Sequence, residues 1–243
     1  MSLTKRFIKE EISDLYWGLG AVYINFDEPF RIGKNRSPIY LDTRLFFGNG
    51  NARNTVRNCL EEYIDTIENR FDGFALCARA GLALGSSLLV RDEMSKKKYW
   101  TYPAVYLSKN LRTGEYVIEG LKENKINNKK FLLVDELIAS GNTKLNFIEK
   151  IREKKGKIED CVVICDVEQG GEESLKYMGV KLHSFVTLRQ VLDLGLKIKK
   201  DIEYYPNRES TKEKKFTEKE YDQVLGFLSD VKGWHLKNGF EYF

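Results

Sequence analysis

Between residues 73 and 187 the chain alternates short apolar segments with segments of helical spacing, and this alternation constrains the fold more than any other feature. Short apolar runs are typical of buried strands, and helix-length segments between them favour parallel pairing with helices on both faces of the sheet. The predicted strands are 73–77, 104–107, 131–134, 161–165 and 181–187, and the predicted helices are 53–69, 80–94, 144–155 and 172–178. The sequence therefore predicts an α/β fold with a mostly parallel sheet.

Two smaller regions flank this alternation. At the N-terminus, the helical spacing of Phe7, Ile12 and Tyr16 precedes two short extended segments, 21–26 and 38–41. Beyond about Leu196 the chain becomes charged, and 217–232 has the apolar stripe of a helix. We expect one domain over 1–196, with an N-terminal hood region at about 1–48, followed by a charged C-terminal helical extension over 197–243. The extension is expected to cover the sheet edge, with a dimer interface or partner docking as the alternatives.

Composition narrows the class of protein. The 40 basic and 36 acidic residues give a net charge of +4, and the lysines are dispersed, so the charge argues weakly for an anionic ligand and not for nucleic acid. No apolar run approaches the ~18 residues of a membrane span, and the first residues lack the apolar core of a signal peptide. The four cysteines lack metal-type spacing. We therefore expect a cytoplasmic protein that binds neither nucleic acid nor a membrane.

The segment FLLVDELIASGNTK, residues 131–144, is the main candidate for a functional site. Asp135 and Glu136 follow the apolar run, and the small residues of 139–143 lead into the helix. Small residues let backbone N–H groups close around a phosphate at a helix N-terminus, and the two acids can meet sugar hydroxyls or a metal. The alternative is an ordinary strand-to-helix turn that ends in two acids, and the local pattern alone does not decide between them.

Three other segments should reach the same edge of a parallel sheet, because ligands of such sheets bind outside the carboxyl ends of the strands. They are 78–81, 108–112 and 166–171, and the first two carry Arg79, Lys109 and Arg112. Each of these basic residues alone is typical of a surface charge. Their convergence on a carboxylate pair and a small-residue turn favours a site for a metal-bound polyphosphate ester.

These motifs resemble those of a known family. FLLVDELIASGNT resembles the phosphoribosyl pyrophosphate loop of type I phosphoribosyltransferases, which has an apolar run, two acids, two apolar residues and a small-residue turn. Within that superfamily, PFRIGKNRSPIYLDTRL at 29–45 and ICDVEQGG at 164–171 are similar to segments of the orotate phosphoribosyltransferase family. The resemblance covers roughly residues 5–195. It implies Mg²⁺-dependent transfer of the 5-phosphoribosyl group from phosphoribosyl pyrophosphate to orotate or another planar base, in a homodimer.

The resemblance also implies residue roles. Asp135 and Glu136 would hold the ribose hydroxyls and contact Mg²⁺ indirectly, and Ala139, Ser140, Gly141, Asn142 and Thr143 would hold the 5′-phosphate. Arg79, Lys109 and Arg112 would bind the pyrophosphate, with Lys109, Arg112 and Asp135 as the catalytic residues. Arg31 and Tyr40 would contact the base, and the loop 108–120 would be a mobile flap that reaches into the partner subunit.

The chain departs from the family pattern at several of these positions. The second acid is Glu136 instead of Asp, Ser108 and Gly114 replace an Arg and a His of the flap, and Val167 replaces an Arg that helps bind the orotate carboxylate. Two classes of function therefore stay open. The first is the transferase, and the second is a protein that binds phosphoribosyl pyrophosphate or a nucleotide as a sensor or as a partner subunit.

Overall fold

The computed structural model describes residues 3–32, 35–67, 70–90, 99–110, 112–198, 203–204, 206–207, 209 and 214–242. Gly33, which belongs to the segment 29–45 that resembles the family, lies outside the described residues. The side chain of Lys109 also lies outside them.

The N-terminal region forms a hood of one helix and two small antiparallel ribbons. Its elements are helix α1 (Leu3–Gly18), strands β1 (Val22–Ile24), β2 (Phe30–Ile32), β3 (Asn35–Ser37) and β4 (Ile39–Leu41), and helix α2 (Arg44–Gly48). Strand β1 pairs with β4, and β2 pairs with β3 in a hairpin. The predicted helix and both predicted extended segments are confirmed.

A six-stranded sheet forms the centre of the molecule. Its strands are β5 (Gly73–Leu76), β6 (Ala104–Lys109), β7 (Tyr116–Glu119), β8 (Lys130–Ile138), β9 (Lys157–Asp166) and β10 (Lys181–Thr187). They lie in the order β10-β9-β8-β5-β6-β7, and every neighbouring pair is parallel except β6 with β7. The five predicted strands are therefore confirmed, and their carboxyl ends meet at one edge.

Helices cover both faces of this sheet. They are α3 (Gly50–Ile64), α4 (Ala78–Leu88), α5 (Glu123–Ile126), α6 (Asn142–Glu153), α7 (Gly171–Tyr177) and α8 (Leu188–Ile198). Side chains along β8 alternate between two separate apolar clusters, with Leu132 and Val134 in one and Phe131 and Leu133 in the other. This alternation is the reason that the strand has an unbroken run of apolar residues.

Two sequence expectations about loops are wrong. Strand β8 runs on to Ile138, so Asp135 and Glu136 lie inside the strand and not beyond its end. The segment 108–120 is not one loop, because β6 and β7 form an antiparallel hairpin whose turn spans residues 110–115. We call residues 104–119 the flap hairpin.

The C-terminal region contains the short strands β11 (Glu203–Tyr204) and β12 (Lys214–Lys215) and the helices α9 (Glu218–Ser229) and α10 (Val231–Lys237). The expectation of one helix over 217–232 is wrong, because the backbone leaves helical geometry at Asp230, where φ is −150°. Tyr204, Phe216 and Val224 belong to the same apolar cluster as α1 and the hood. The extension therefore shares the core of the preceding domain.

The four cysteines, Cys59, Cys77, Cys161 and Cys165, are buried and unbridged. Among the residues that the structure describes, no helix is long and apolar enough to cross a bilayer.

Candidate active site

A cleft of about 700 Å³ lies at the carboxyl edge of the sheet, between that edge and the hood. Eight of the residues selected from the sequence line it: Tyr40, Asp135, Glu136, Ala139, Ser140, Gly141, Asn142 and Thr143. Ile32, Asn35, Ala78, Tyr116, Lys144, Val167 and Leu188 line it as well. The predicted convergence is present only in part: Ala78 of 78–81 and Val167 of 166–171 reach the cleft, whereas Arg79 and the described residues of 108–112 do not line it.

The turn between β8 and α6, residues 139–143, forms one wall of the cleft. Gly141 precedes the helix with φ of +85°, a conformation that side chains with a Cβ rarely adopt. Its carbonyl accepts the amides of Lys144 and Leu145 at 2.8 and 3.0 Å. The helix therefore begins directly at the cleft, where its first amides and the positive end of its dipole favour an anion.

Asp135 and Lys144 form a buried ion pair in the wall below this turn. Asp135 is 4% exposed and Lys144 is 5% exposed, and the Asp135 carboxylate also accepts the Glu136 amide at 2.9 Å. Although burial opposes it, the Asp135 carboxylate raises the pKa of the Lys144 ammonium above its ordinary value. Both oxygens of the Asp135 carboxylate therefore have partners within the protein, which fixes the position of this side chain.

Glu136 differs from its neighbour because its carboxyl oxygen Oε2 is buried without a hydrogen-bond partner among the described residues. Burial, together with the adjacent Asp135 carboxylate, raises the pKa of Glu136 to about 9. An unpaired buried oxygen is costly and is uncommon in folded proteins. In the wall of a cleft it is a site for a hydroxyl donor or a cation.

The start of α4 approaches this wall very closely. A Cβ atom at Gly81 would lie 2.6 Å from the Val134 carbonyl and 3.1 Å from the Asp135 carboxylate, so only glycine permits this contact. Ala78, the first residue of the helix, lines the cleft with a positive φ of 54°. Arg79 is exposed beside it and is not part of the lining.

The hood supplies the opposite wall. Tyr40 lines the cleft, and its ring packs against Phe30 and Tyr23 with centroids 5.8 and 6.2 Å apart. Arg44 donates to the Tyr40 hydroxyl at 3.0 Å and forms an ion pair with the buried Asp42 at 2.7 Å. The half-buried ring is therefore held from both ends, as a stacking surface for a planar ligand requires.

The hairpin of β2 and β3 contributes Ile32 and Asn35 to the cleft. Arg31, selected from the sequence as a base contact, is exposed on β2 and lies opposite Arg36 in the ladder. On the sheet side, Val167 is buried, and its amide donates to the Ile138 carbonyl at 2.8 Å. The base side of the cleft is thus mostly apolar.

The flap hairpin contacts the cleft through Tyr116. Its turn is held by the Asn110 side chain, which accepts the amides of Arg112 and Thr113 at 2.9 and 3.2 Å. Arg112 is exposed and does not line the cleft. At the base of the hairpin the Ser108 hydroxyl donates to the Glu119 carboxylate, and this bond, followed by one from Tyr106, lowers the pKa of Glu119.

Lys144 is the main site residue that the sequence reasoning missed. Its spacing to Phe147, Ile148 and Ile151 places it on the buried stripe of α6, and a lysine at such a position requires a buried acid. That spacing was the available signal. Val167, Leu188 and Ala78 carry no comparable signal, because apolar residues at strand and helix ends are ordinary.

Comparisons with known proteins agree with this geometry. No protein-family model matches the chain. The solved structure of UMP synthase from Leishmania donovani superposes with a TM-score of 0.68 at 22% identity, over 91% of this chain and 42% of that one. Orotate phosphoribosyltransferase from Aeropyrum pernix superposes with a TM-score of 0.60 at 23% identity, over 75% of this chain and 97% of that one. These two likenesses establish a type I phosphoribosyltransferase fold.

Sequence similarity gives the family. Orotate phosphoribosyltransferase from Methanopyrus kandleri is 35% identical over 179 residues, which are 74% of this chain and 89% of that protein. The chain belongs to the orotate phosphoribosyltransferase family. Its members are transferases, so the cleft at the carboxyl edge is the expected place of their chemistry.

Proposed function

We propose that the protein transfers a 5-phosphoribosyl group from phosphoribosyl pyrophosphate to orotate, forming orotidine 5′-phosphate and pyrophosphate for pyrimidine nucleotide synthesis. The observation that carries this proposal is the unpaired, buried Oε2 of Glu136 beside the turn that opens α6. A sugar phosphate offers both chemical partners that this wall lacks, which are a hydroxyl donor for the acid and an anion for the helix start.

In this proposal the β8–α6 turn binds the ribose phosphate. Residues 139–143 surround the 5′-phosphate with backbone amides and with the hydroxyls of Ser140 and Thr143. Glu136 accepts from a ribose hydroxyl, and Asp135, which Lys144 holds in place, supplies fixed negative charge beside the sugar. The transition state resembles an oxocarbenium ion, so the fixed negative charge of Asp135 near the sugar and a firmly held phosphate lower its free energy.

Mg²⁺ is the metal that the family implies, and the residues present are compatible with it. It typically uses one or two carboxylates together with substrate phosphates and waters. Within the described residues no group of three acidic, histidine or cysteine side chains gathers to form a protein cage. Glu136 would therefore contact a metal held mainly by the oxygens of the substrate, and the metal would neutralise charge that develops on the departing pyrophosphate.

The remaining contacts follow from the walls of the cleft. Tyr40 is positioned to stack on the base, and Arg31 is the proposed cation near its carboxylate. Arg79, Lys109 and Arg112 would bind the pyrophosphate after the flap hairpin moves toward the cleft. A homodimer and a cytoplasmic location belong to the same proposal, and the four unbridged cysteines are compatible with a reducing compartment.

The decisive experiment follows the loss of orotate absorbance in the presence of Mg²⁺ and phosphoribosyl pyrophosphate. The raised pKa of Glu136 keeps its carboxyl protonated at neutral pH, so Glu136→Gln should lower kcat/KM roughly 2- to 10-fold, the usual loss for one hydrogen bond between uncharged groups. The matched control is Glu159→Gln on β9, because Glu159 pairs with Lys130 at the first residue of β8, at the other end of the sheet. The control should keep wild-type activity.

The departures in the flap hairpin favour a second candidate, a sensor that binds phosphoribosyl pyrophosphate without turning it over. Ser108 and Gly114 offer no charge to the leaving group. Calorimetric binding of phosphoribosyl pyrophosphate with no loss of orotate absorbance would reject the transferase and support the sensor. A screen of other planar bases would then separate a sensor from a transferase of different base specificity.

A further inference from the structure

The last described residues, 231–242, pack against the β2–β3 hairpin of the hood. We call them the C-terminal segment. His235 lies at its centre and is fully buried. Its Nε2 atom lies 3.0 Å from the backbone nitrogen of Arg36, and its Nδ1 atom lies 2.7 Å from the Val231 carbonyl. The imidazole therefore joins helix α10 to a strand that precedes it by 199 residues.

The two contacts fix the tautomer of this histidine. A carbonyl oxygen can only accept, so Nδ1 carries the hydrogen and donates it to Val231. Nε2 is then an acceptor and takes the Arg36 amide. Each ring nitrogen has one partner, and the partner of Nε2 belongs to the hood.

The Arg36 amide needs such an acceptor. A two-stranded ribbon leaves half of its backbone groups unpaired by the ladder, and an isolated ribbon is marginally stable. The Arg36 side chain is held as well, because it donates to the Pro29 carbonyl at 3.1 Å and lies 5.9 Å from the centre of the Phe240 ring. The rings of Trp234 and Tyr242 pack on His235 with centroids 5.4 and 5.2 Å away.

The residues beside Arg36, at the turn end of this hairpin, reach the candidate active site. Ile32 and Asn35 line the main cleft, and both also line a smaller cavity behind it. That cavity is closed by Val231 and Tyr242 of the C-terminal segment and by Ala139 and Ser140 of the β8–α6 turn. The hairpin is therefore held between the C-terminal segment and the wall that binds the phosphate.

We infer that the C-terminal segment positions the β2–β3 hairpin over the base side of the cleft, and that His235 is the positioning residue. The expected effect of this role on KM for orotate rests on the proposed transferase function. Its expected effect on hydrogen exchange at the Arg36 amide does not depend on that function. His235 touches no substrate and acts through the Arg36 backbone, which fixes the place of Arg31, Ile32 and Asn35.

Two substitutions at one position test this role. His235→Gln keeps an acceptor at about the distance of Nε2, whereas His235→Asn is too short to reach Arg36. His235→Asn should raise KM for orotate about tenfold with kcat changed less than about twofold, and His235→Gln should restore KM to within about threefold of wild type. If His235 only stabilised the fold, its substitution would lower the fraction of active protein, and hence kcat. KM for orotate would then not differ between His235→Asn and His235→Gln.

Hydrogen exchange at the Arg36 amide provides the second measurement and needs no catalysis. Exchange should be about tenfold faster in His235→Asn than in wild type or His235→Gln. Phe240→Leu, which removes the ring beside Arg36, should accelerate it less and serves as the test if His235→Asn does not fold. Unchanged exchange overturns the inference, as does a fall in kcat with unchanged KM. Absence of orotate turnover in the wild type would reject the proposed function, and exchange at Arg36 would then decide this inference alone.

Discussion

The β8–α6 turn and the flap hairpin both end at the same cleft, but they satisfy their polar groups in opposite ways. On β8, just before the turn, Glu136 is partly buried with an unpaired oxygen, and the pKa of its carboxyl is raised by that burial and by Asp135. In the flap hairpin, Glu119 is exposed, and hydrogen bonds from Ser108 and then Tyr106 lower its pKa. The pKa values of the two glutamates, one lining the cleft and one at the base of the flap hairpin, are thus shifted in opposite directions.

This difference distinguishes a part of the cleft that is already arranged for its ligand from the flap hairpin, which must move before it can bind one. Residues 135–144, which we propose bind the sugar phosphate and which we call the sugar-phosphate wall, have the charge of Asp135 balanced by Lys144 and a turn conformation that requires Gly141. The turn of the flap hairpin closes on itself through Asn110 and leaves Arg112 exposed. Binding of the ribose phosphate should therefore need little rearrangement, whereas pyrophosphate binding should depend on movement of the hairpin.

The largest expected effect is on stability and comes from Asp135→Asn. This change leaves the buried Lys144 ammonium without its counter-charge, which typically costs about 3 to 5 kcal/mol of the free energy of unfolding. The double variant Asp135→Leu with Lys144→Met removes both charges and should cost less. Urea unfolding measures both, and equal losses in the two variants would show that the wall does not depend on this pair.

The next effect is a pH dependence of opposite sign in the two regions. Folding raises the pKa of Glu136 from 4.5 to about 9, so its contribution to stability is present below pH 4.5 and is lost as the pH rises toward 9. Wild type should therefore lose stability relative to Glu136→Gln over that interval, with a slope of at most about 1.4 kcal/mol per pH unit.

Glu119→Gln is the matched control for that titration. The pKa of Glu119 is lowered in the folded chain, so its contribution is lost as the pH falls through its folded pKa and not as the pH rises. Urea unfolding of the two variants across the pH range gives both slopes. Parallel stability curves for wild type and Glu136→Gln would contradict the assignment of a buried, protonated carboxyl.

A smaller effect is expected on substrate binding when Arg112 is changed to Ala. The side chain is exposed, so the free energy of unfolding should change by less than about 0.5 kcal/mol. KM for phosphoribosyl pyrophosphate should rise roughly tenfold, because the closed flap hairpin would lose one cation. Arg70→Ala is the control, since Arg70 is exposed before the first residue of β5, at the other end of the sheet. An unchanged KM would exclude Arg112 from the pyrophosphate site.

The smallest effect should come from Glu115→Gln, which removes a negative charge from the turn of the flap hairpin. Affinity for pyrophosphate should increase about twofold at low salt and should not change at about 1 M salt, where exposed charges are screened. Glu149→Gln, an exposed change on α6, is the comparison variant. A gain that persists at high salt would indicate a structural effect of the substitution.

The sequence predicts the parallel sheet because buried strands leave a clear apolar pattern, and it predicts the small-residue turn because Gly141 needs its conformational freedom. It did not predict that β8 continues through Asp135, because a buried strand with an acid is exceptional and depends here on Lys144, nine residues away. The contact of His235 could not be predicted, because its partner is the backbone amide of Arg36, and the presence of a backbone amide does not depend on the side chain at that position.

The bond between Arg36 and His235 also affects the order in which the two sides of the cleft form while the chain is being synthesised. The two residues are 199 positions apart, and chains grow at about 5 to 20 residues per second, so roughly 10 to 40 s pass between the appearance of the donor and that of its acceptor. During that time the β2–β3 hairpin lacks its contacts with the C-terminal segment. The base side of the cleft is therefore completed later than the sugar-phosphate wall on a growing chain.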